Sequence, residues 1–224
     1  MKYLAMTLVL AVGSTVLAEA PNSLSDAEKN EGWQLLFDGK SLDGWNSWKT
    51  KKPLAEGAWK VEDGALTLSG KGGGDVYTSK PFENFELYLE WKTTGNSGIL
   101  FRVDPTAKGP IYGVAPEMQV NSKAGNSNKS PGALYDLYAN EVDTVVNDGD
   151  WNTVRVRLVD GEGTHWFNGK KVYSYKIGSD DWNKRIAGSK WKNSKGYAET
   201  ANGHVGLQDH GAKVSYRNIK IRPL

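Results

Sequence analysis

The chain has 224 residues, with 28 Lys and Arg against 26 Asp and Glu, a near balance without a basic stripe that argues against a nucleic-acid partner. It has no cysteine, which excludes disulfides, a thiolate metal site, a cysteine nucleophile and a lipid-bearing cysteine. Nine Trp and ten Tyr point instead to aromatic packing and to flat rings that stack on sugars, most in the core and a few in a site.

At the amino terminus, Lys2 precedes an apolar run from Tyr3 to Leu17, with small residues at Val16, Ala18 and Ala20. This reads as a cleaved secretory signal over residues 1–20, and predicts a periplasmic or secreted protein. The run is too short to cross a bilayer and no later segment is apolar enough, so no membrane span is expected. Residues 21–224, about 205 in number, suit one domain.

Short alternating segments then recur at Ala58 to Val61, Ala65 to Ser69, Asp75 to Thr78, Phe85 to Lys92, Ile99 to Val103 and Glu117 to Val120. They continue at Thr153 to Val159, Thr164 to Phe167, Lys171 to Tyr175, Val205 to His210 and Lys213 to Ile221. Turn signals separate them at Glu62-Asp63-Gly64, Asp160-Gly161-Glu162-Gly163 and Asn168-Gly169. No fixed repeat is visible, which excludes a solenoid, and the many short strands fit an all-β sandwich of jelly-roll type with two antiparallel sheets better than a small barrel or a propeller. Two segments break the rhythm, 121–131 and 178–202, the second with a short helix expected from Asp180 to Ala187. The run Gly70 to Gly74 lacks the GK[ST] and helix of a phosphate loop, and reads as a close backbone approach at a groove edge. Arg217 and Asn218 mark a bulge in the last strand.

Two segments carry polar faces. In Glu117-Met118-Gln119-Val120-Asn121, alternation turns Glu117, Gln119 and Asn121 away from Met118 and Val120. In Val205 to His210, Gln208 and His210 oppose Val205, Leu207 and Asp209. Two hydrogen-bonding strand faces predict a groove. His204 reads as a surface residue, and His165, beside Trp166, is undecided between core and site.

A family resemblance rests on GWQLLFDGKSLDGW from Gly32 to Trp45, NSGILFR from Asn96 to Arg102, GALYDLY from Gly132 to Tyr138, HWFNG from His165 to Gly169, GLQDHG from Gly206 to Gly211 and YRNIKI from Tyr216 to Ile221. In this order they cover nearly the whole mature chain and resemble the 3-keto-disaccharide hydrolase domain family. The resemblance implies a concanavalin A-like sandwich with a concave groove, and an exported carbohydrate-active enzyme that cleaves glycosides oxidised to a ketone at carbon 3. A 3-keto-glycoside substrate in turn implies an upstream sugar 3-oxidoreductase. The fold also carries lectins, so a non-catalytic carbohydrate-binding module is the alternative.

Laminarinase-like sandwich enzymes use E-x-D-x-x-E, whereas here Gln119 stands in the Asp position after Glu117, and neither Asn121 nor Ser122 restores a carboxylate. That motif therefore lacks the carboxyl pair, about 5 to 9.5 Å apart, that ordinary glycoside hydrolysis needs. A 3-ketone acidifies the hydrogen on carbon 2, so one base and enolate stabilisation suffice. Glu117 and His210 take the acid and base roles, in an order the sequence leaves open. Arg102 is expected to pair with Glu117 or Glu90, or to stabilise the enolate. Gln119, Gln208, Asn96 and Tyr135 suit sugar hydroxyls, and Lys190 with Trp191 closes the rim. No HExxH, EF-hand loop or cysteine cluster is present. A divalent metal ion held by Glu117, His210 and a carboxylate such as Glu90 stays open, without assigned ligands.

Overall fold

The computed structural model describes residues 20–142, 146, 147 and 149–224, and the signal-peptide reading of residues 1–19 lies outside them. The strands in chain order are β1 (Gln34–Leu35), β2 (Trp45–Ser47), β3 (Trp59–Glu62), β4 (Ala65–Leu68), β5 (Val76–Thr78), β6 (Phe85–Thr93) and β7 (Asn96–Val103). After these come β8 (Glu117–Asn121), β9 (Asn152–Val159), β10 (Glu162–Phe167), β11 (Lys170–Lys176), β12 (His204–Leu207) and β13 (Val214–Pro223). The short helices are α1 (Asp26–Asn30) and α2 (Asp180–Gly188).

Eight strands form one antiparallel sheet in the order β11-β10-β9-β6-β13-β4-β3, with β1 beside β13; five form the other, β2-β5-β12-β7-β8. The larger sheet follows from strict alternation. In β9, Asn152, Val154, Val156 and Leu158 are buried while Arg155 and Arg157 are exposed, so one face turns inward and the other meets water. Leu87, Leu89 and Trp91 of β6 and Tyr216, Ile219 and Ile221 of β13 complete that inner layer, against Ile99, Phe101, Met118, Val120, Val205 and Leu207 of the smaller sheet. This is the sandwich that the strand pattern predicts.

Three connections have left-handed backbone at both central residues: Asp63-Gly64, Asp160-Gly161 and Asn168-Gly169. This is the type I′ geometry whose twist matches antiparallel strands. Asn218, at φ 50°, sits in the break of register between β13 and β6. It trades backbone and side-chain hydrogen bonds with Asn22, 2.6 Å and 2.9 Å long, and tethers the amino-terminal segment to the sheet.

The outer face of the smaller sheet is divided. Tyr77, Leu100 and Val103 are covered by Trp48 and by the segment carrying Ile111, Val114 and Ala115, which together form a second apolar cluster. The rest of that face carries polar side chains.

At Gly169, φ is 78° and an added Cβ would meet nothing within 4 Å, so Gly169→Ala isolates the backbone cost of the turn. We expect a loss of about 1 kcal/mol, read as a lowered urea midpoint with unchanged m-value.

Candidate active site

Strand β8 places Glu117 and Gln119 on the outer face and sends Met118 and Val120 into the core. Its register sets Gln119 opposite Gly98 and Glu117 opposite Leu100 of β7. The Glu117 side chain lies back across Gly98, where a Cβ would collide with its Oε1, Cδ and Cγ. On the other side of Gly98, the Gln208 N–H donates to the Gly98 carbonyl at 3.0 Å, and Ser97 Oγ donates to the Gln208 carbonyl at 2.6 Å. Pairing therefore continues past the end of β12 and points the Gln208 side chain at Glu117. Gln208 Nε2 donates to Glu117 Oε2 at 3.3 Å, and Gln119 Nε2 donates to Asn96 Oδ1 at 2.9 Å.

The segment after Ser130 runs along the edge of β8. The Gln119 N–H donates to the Ala133 carbonyl, the Gly132 N–H to that of Gln119 and the Tyr135 N–H to that of Glu117. This brings Tyr135 to the site. Helix α2 is anchored by buried Trp182 and by Arg185 Nη1, which donates to the Leu137 carbonyl at 3.0 Å. Lys190 follows it, and its N–H donates to Asp136 Oδ2 at 2.9 Å. Lys190 Nζ then stands 4.1 Å from the Tyr135 ring centre, 4.2 Å from that of Trp191 and 5.6 Å from that of Tyr112, an aromatic cage that favours a cation.

Asn96, Glu117, Gln119, Tyr135, Lys190, Gln208 and His210 line one cleft of about 240 Å³, and Tyr112 completes it. Two of the larger hollows lie apart from it. One runs along the loops of residues 34–44; the other is walled by ions that already pair with one another, including Glu86 with Arg155 and Arg222.

Glu117 is 4% exposed, and burial pushes its carboxyl up to about 7; Lys190 and the Gln208 amide pull it down, and Asp75 pushes it further up. Burial also lowers the Lys190 ammonium, against the attraction of Glu117 and Asp136. His210 is exposed at the lip. The floor thus holds a carboxyl poised to exchange a proton near neutrality, faced by a cation, amides and phenols.

Two contributors escape the sequence pattern. Tyr112, in a 3-10 turn (Ile111–Gly113) held by buried Ile111, is 41% exposed and shows no periodicity. Asp75 accepts a hydrogen bond from the Asp209 N–H at 2.9 Å. Burial raises its carboxyl to about 6, as does repulsion from Asp209, while that hydrogen bond and His210 act in the opposite sense. The available signal was the acidic residue closing the glycine run. That run does lie at the groove edge: the Gly72 and Gly74 N–H groups donate to Asp209 Oδ2 at 3.1 Å and 2.8 Å.

Arg102 lies away from the cleft, contrary to the sequence expectation. Phe101 and Arg102 together oppose Val205 alone between the pairs Val103–His204 and Leu100–Gly206, and Arg102 adopts φ 56°. This bulge re-aims the side chain, whose Nη1 donates to the Ala198 carbonyl at 2.9 Å. Glu90 belongs to the other sheet, bonded to Arg217 and Asn218, so it joins neither Arg102 nor a metal set with Glu117. No group of three or more His, Cys, Asp and Glu among the described residues is gathered to hold a metal ion. Trp191 is buried behind the rim instead of lining it; its Nε1 donates to the Tyr135 carbonyl at 3.2 Å and its ring stacks on Tyr197. His204 is half-buried against Tyr77, its Nδ1 bonded to the Thr78 carbonyl at 2.6 Å. His165 belongs to the core, between the hydroxyls of Tyr173 at 2.9 Å and Tyr175 at 3.1 Å.

The family model of the 3-keto-alpha-glucoside-1,2-lyase-like domain matches residues 32–222. A 3-keto-disaccharide hydrolase of Bacteroides thetaiotaomicron is 29% identical over 254 aligned positions, covering 97% of this chain and 87% of the relative. A solved structure of a candidate glycosyl hydrolase from Parabacteroides distasonis matches with a TM-score of 0.81 at 34% identity, over 92% of this chain and 100% of that one. A carbohydrate-binding module of Bacillus subtilis shares the fold, with a TM-score of 0.52 at 13% identity over 82% of this chain and 98% of the module.

The Glu117 carboxyl titrates near 7 when folded and near 4.5 otherwise, so ionisation costs the folded state nothing below pH 4.5 and its full penalty above pH 7. Glu117→Gln removes that penalty. The variant should exceed the parent in stability at pH 8 by on the order of 3 kcal/mol and match it at pH 4.5, measured by urea denaturation at both values.

Proposed function

The chain belongs to the 3-keto-alpha-glucoside-1,2-lyase-like domain family, and from that premise we propose that it cleaves 3-keto-glycosides, 3-keto-disaccharides among them, by elimination followed by hydration. The observation that carries this reading is the buried carboxyl on the cleft floor, Glu117, held near neutrality beside a caged lysine. Elimination next to a ketone requires one base and a stabiliser of negative charge, and that is what the cleft offers.

In this mechanism the Glu117 carboxylate takes the proton from carbon 2, and the C–H electrons form a double bond to carbon 3 as the ketone oxygen becomes an enolate. Lys190, with Tyr135 beside it, supplies positive charge and a donor for that oxygen, the role the sequence suggested for Arg102. The enolate re-forms the ketone and expels the substituent at carbon 1 while carbons 1 and 2 become doubly bonded. His210, at the solvent side, hands a proton to the departing oxygen. Water then adds at carbon 1 and gives up a proton to His210, Glu117 delivers to carbon 2 a proton exchanged with solvent while the leaving group departs, and the net reaction is hydrolysis. Asn96, Gln119 and Gln208 hold the sugar hydroxyls. Gln208 Oε1 is buried without a partner among the described residues, an acceptor available to one of them.

The ketone presupposes an upstream two-electron oxidation of a sugar hydroxyl, the work of a sugar 3-oxidoreductase. The charged start and apolar run of residues 1–20 support export to the periplasm or medium.

The test is incubation with a 3-keto-disaccharide and its unoxidised parent in deuterated water, followed by NMR. Release from the keto sugar alone, with deuterium at carbon 2, is expected. Release without deuterium would overturn the elimination route, and binding of both sugars with release from neither would favour a carbohydrate-binding module. Glu117→Gln should lose about 10²- to 10⁴-fold in kcat. The parent's kcat/KM should rise with pH through an apparent pKa near 7, and the rise should vanish in the variant.

A further inference from the structure

Another hollow, about 590 Å³, adjoins the cleft and shares His210 with it. Its floor is the glycine loop, with Gly72, Gly73 and Gly74 presenting backbone, and its lip carries Lys49 and Lys71. These lysines lie far apart in the chain, one just after β2 and one between β4 and β5, and the fold brings them to one opening. Both are exposed, and neither pairs with a carboxylate among the described residues.

The acidic group in this hollow, Asp209, is engaged on both oxygens. Oδ2 accepts the Gly72 and Gly74 N–H groups, and Oδ1 accepts the Gly211 N–H at 2.9 Å. Its carboxylate thus fixes the loop and is turned to the backbone, while the two lysines line the hollow as exposed residues. Lys49 and Lys71 are therefore the cations of this hollow, and they stand at one end of the site.

The position of His210 decides what the hollow would hold. On the proposed reaction His210 protonates the departing oxygen, so the bond that breaks lies at the boundary between the two spaces. The keto sugar fills the side of Glu117, and the substituent on carbon 1 must extend across the glycine floor. We propose that this hollow is the leaving-group subsite and that it selects 3-keto-glycosides whose leaving group carries a carboxylate or comparable anion, read by Lys49 and Lys71. This rests on the proposed reaction for which side the sugar occupies, and on the lysine pair for the charge preference.

The experiment compares the 3-keto-glucosides of 4-hydroxybenzoate and of its neutral methyl ester. The carboxylate substrate should show a KM about tenfold lower at low salt, with the advantage shrinking as ionic strength screens the lysines. Lys49→Glu combined with Lys71→Glu should reverse the order of the two substrates while leaving kcat on the ester unchanged. Equal KM values in the parent, or a preference that survives the charge reversal, would overturn the proposal and leave the elimination reaction standing. If neither ketone is cleaved, the reaction is what fails. Calorimetric binding of the two unoxidised glucosides then reads the subsite directly: a carboxylate preference abolished by the charge reversal upholds it, and no preference overturns it.

Discussion

A carboxyl group kept from water on the outer surface of a sheet is the constraint around which this protein is arranged. Glu117 can be buried there because β7 offers no Cβ at Gly98, so the side chain folds flat against the backbone instead of rising into solvent. Burial alone would neutralise the group and leave it inert. Lys190 pulls in one direction and Asp75 in the other, and the balance leaves the carboxyl close to the pH at which it can both take and return a proton. The glycine, the lysine and the second acid come from three separate stretches of chain, and the sandwich is what holds them in register.

The same sheet shows why the site lies where it does. Each strand of a two-layer sandwich has one face spoken for by the core, and the other must be wetted or covered. Trp48, Ile111, Val114 and Ala115 cover one part of the outer face, and the segment after Ser130 pairs with the edge of β8 and walls off another. The polar strip between these covers is the cleft. The stretch after α2, read in the sequence as an interruption of the strand rhythm, is one of its walls and supplies Lys190, and the glycine run, read as a close backbone approach at the groove edge, supplies the floor beyond His210.

Much of this was legible in the residues. Alternation in Phe85 to Lys92 and in Glu117 to Asn121 reports which face is buried, because the side-chain period of a strand is two. Asn168-Gly169 reports its turn because few residues accept left-handed backbone. The polar faces of the two key strands therefore predicted Glu117, Gln119 and Gln208 together. Arg102 escaped for the converse reason: the period fails at a bulge, and a bulge is decided by the pairing with β12, which local sequence does not contain. Trp191 escaped because a tryptophan beside a lysine reads the same whether it lines a cleft or supports the residue that does. Asp75 and Tyr112 are positioned by contacts with distant segments, and no spacing within the chain announces them. The domain limits and the first residues rest on sequence alone.

His165 carries a consequence of a different kind. Its ring is fully enclosed, between two tyrosine hydroxyls and edge-on to Phe101, and burial depresses its titration to about 3 from an ordinary 6.5. An unfolded chain accepts a proton there in mild acid and the folded one refuses it. Each unit of falling pH between those values therefore removes about 1.4 kcal/mol from the native state. Glu117 works the other way over the upper part of that range, since its burial penalty fades as it gains a proton. One buried base and one buried acid, on opposite sides of the smaller sheet, thus offset each other down to about pH 4.5. Below it the histidine acts unopposed by Glu117, and the enclosed imidazole becomes a built-in trigger for acid unfolding.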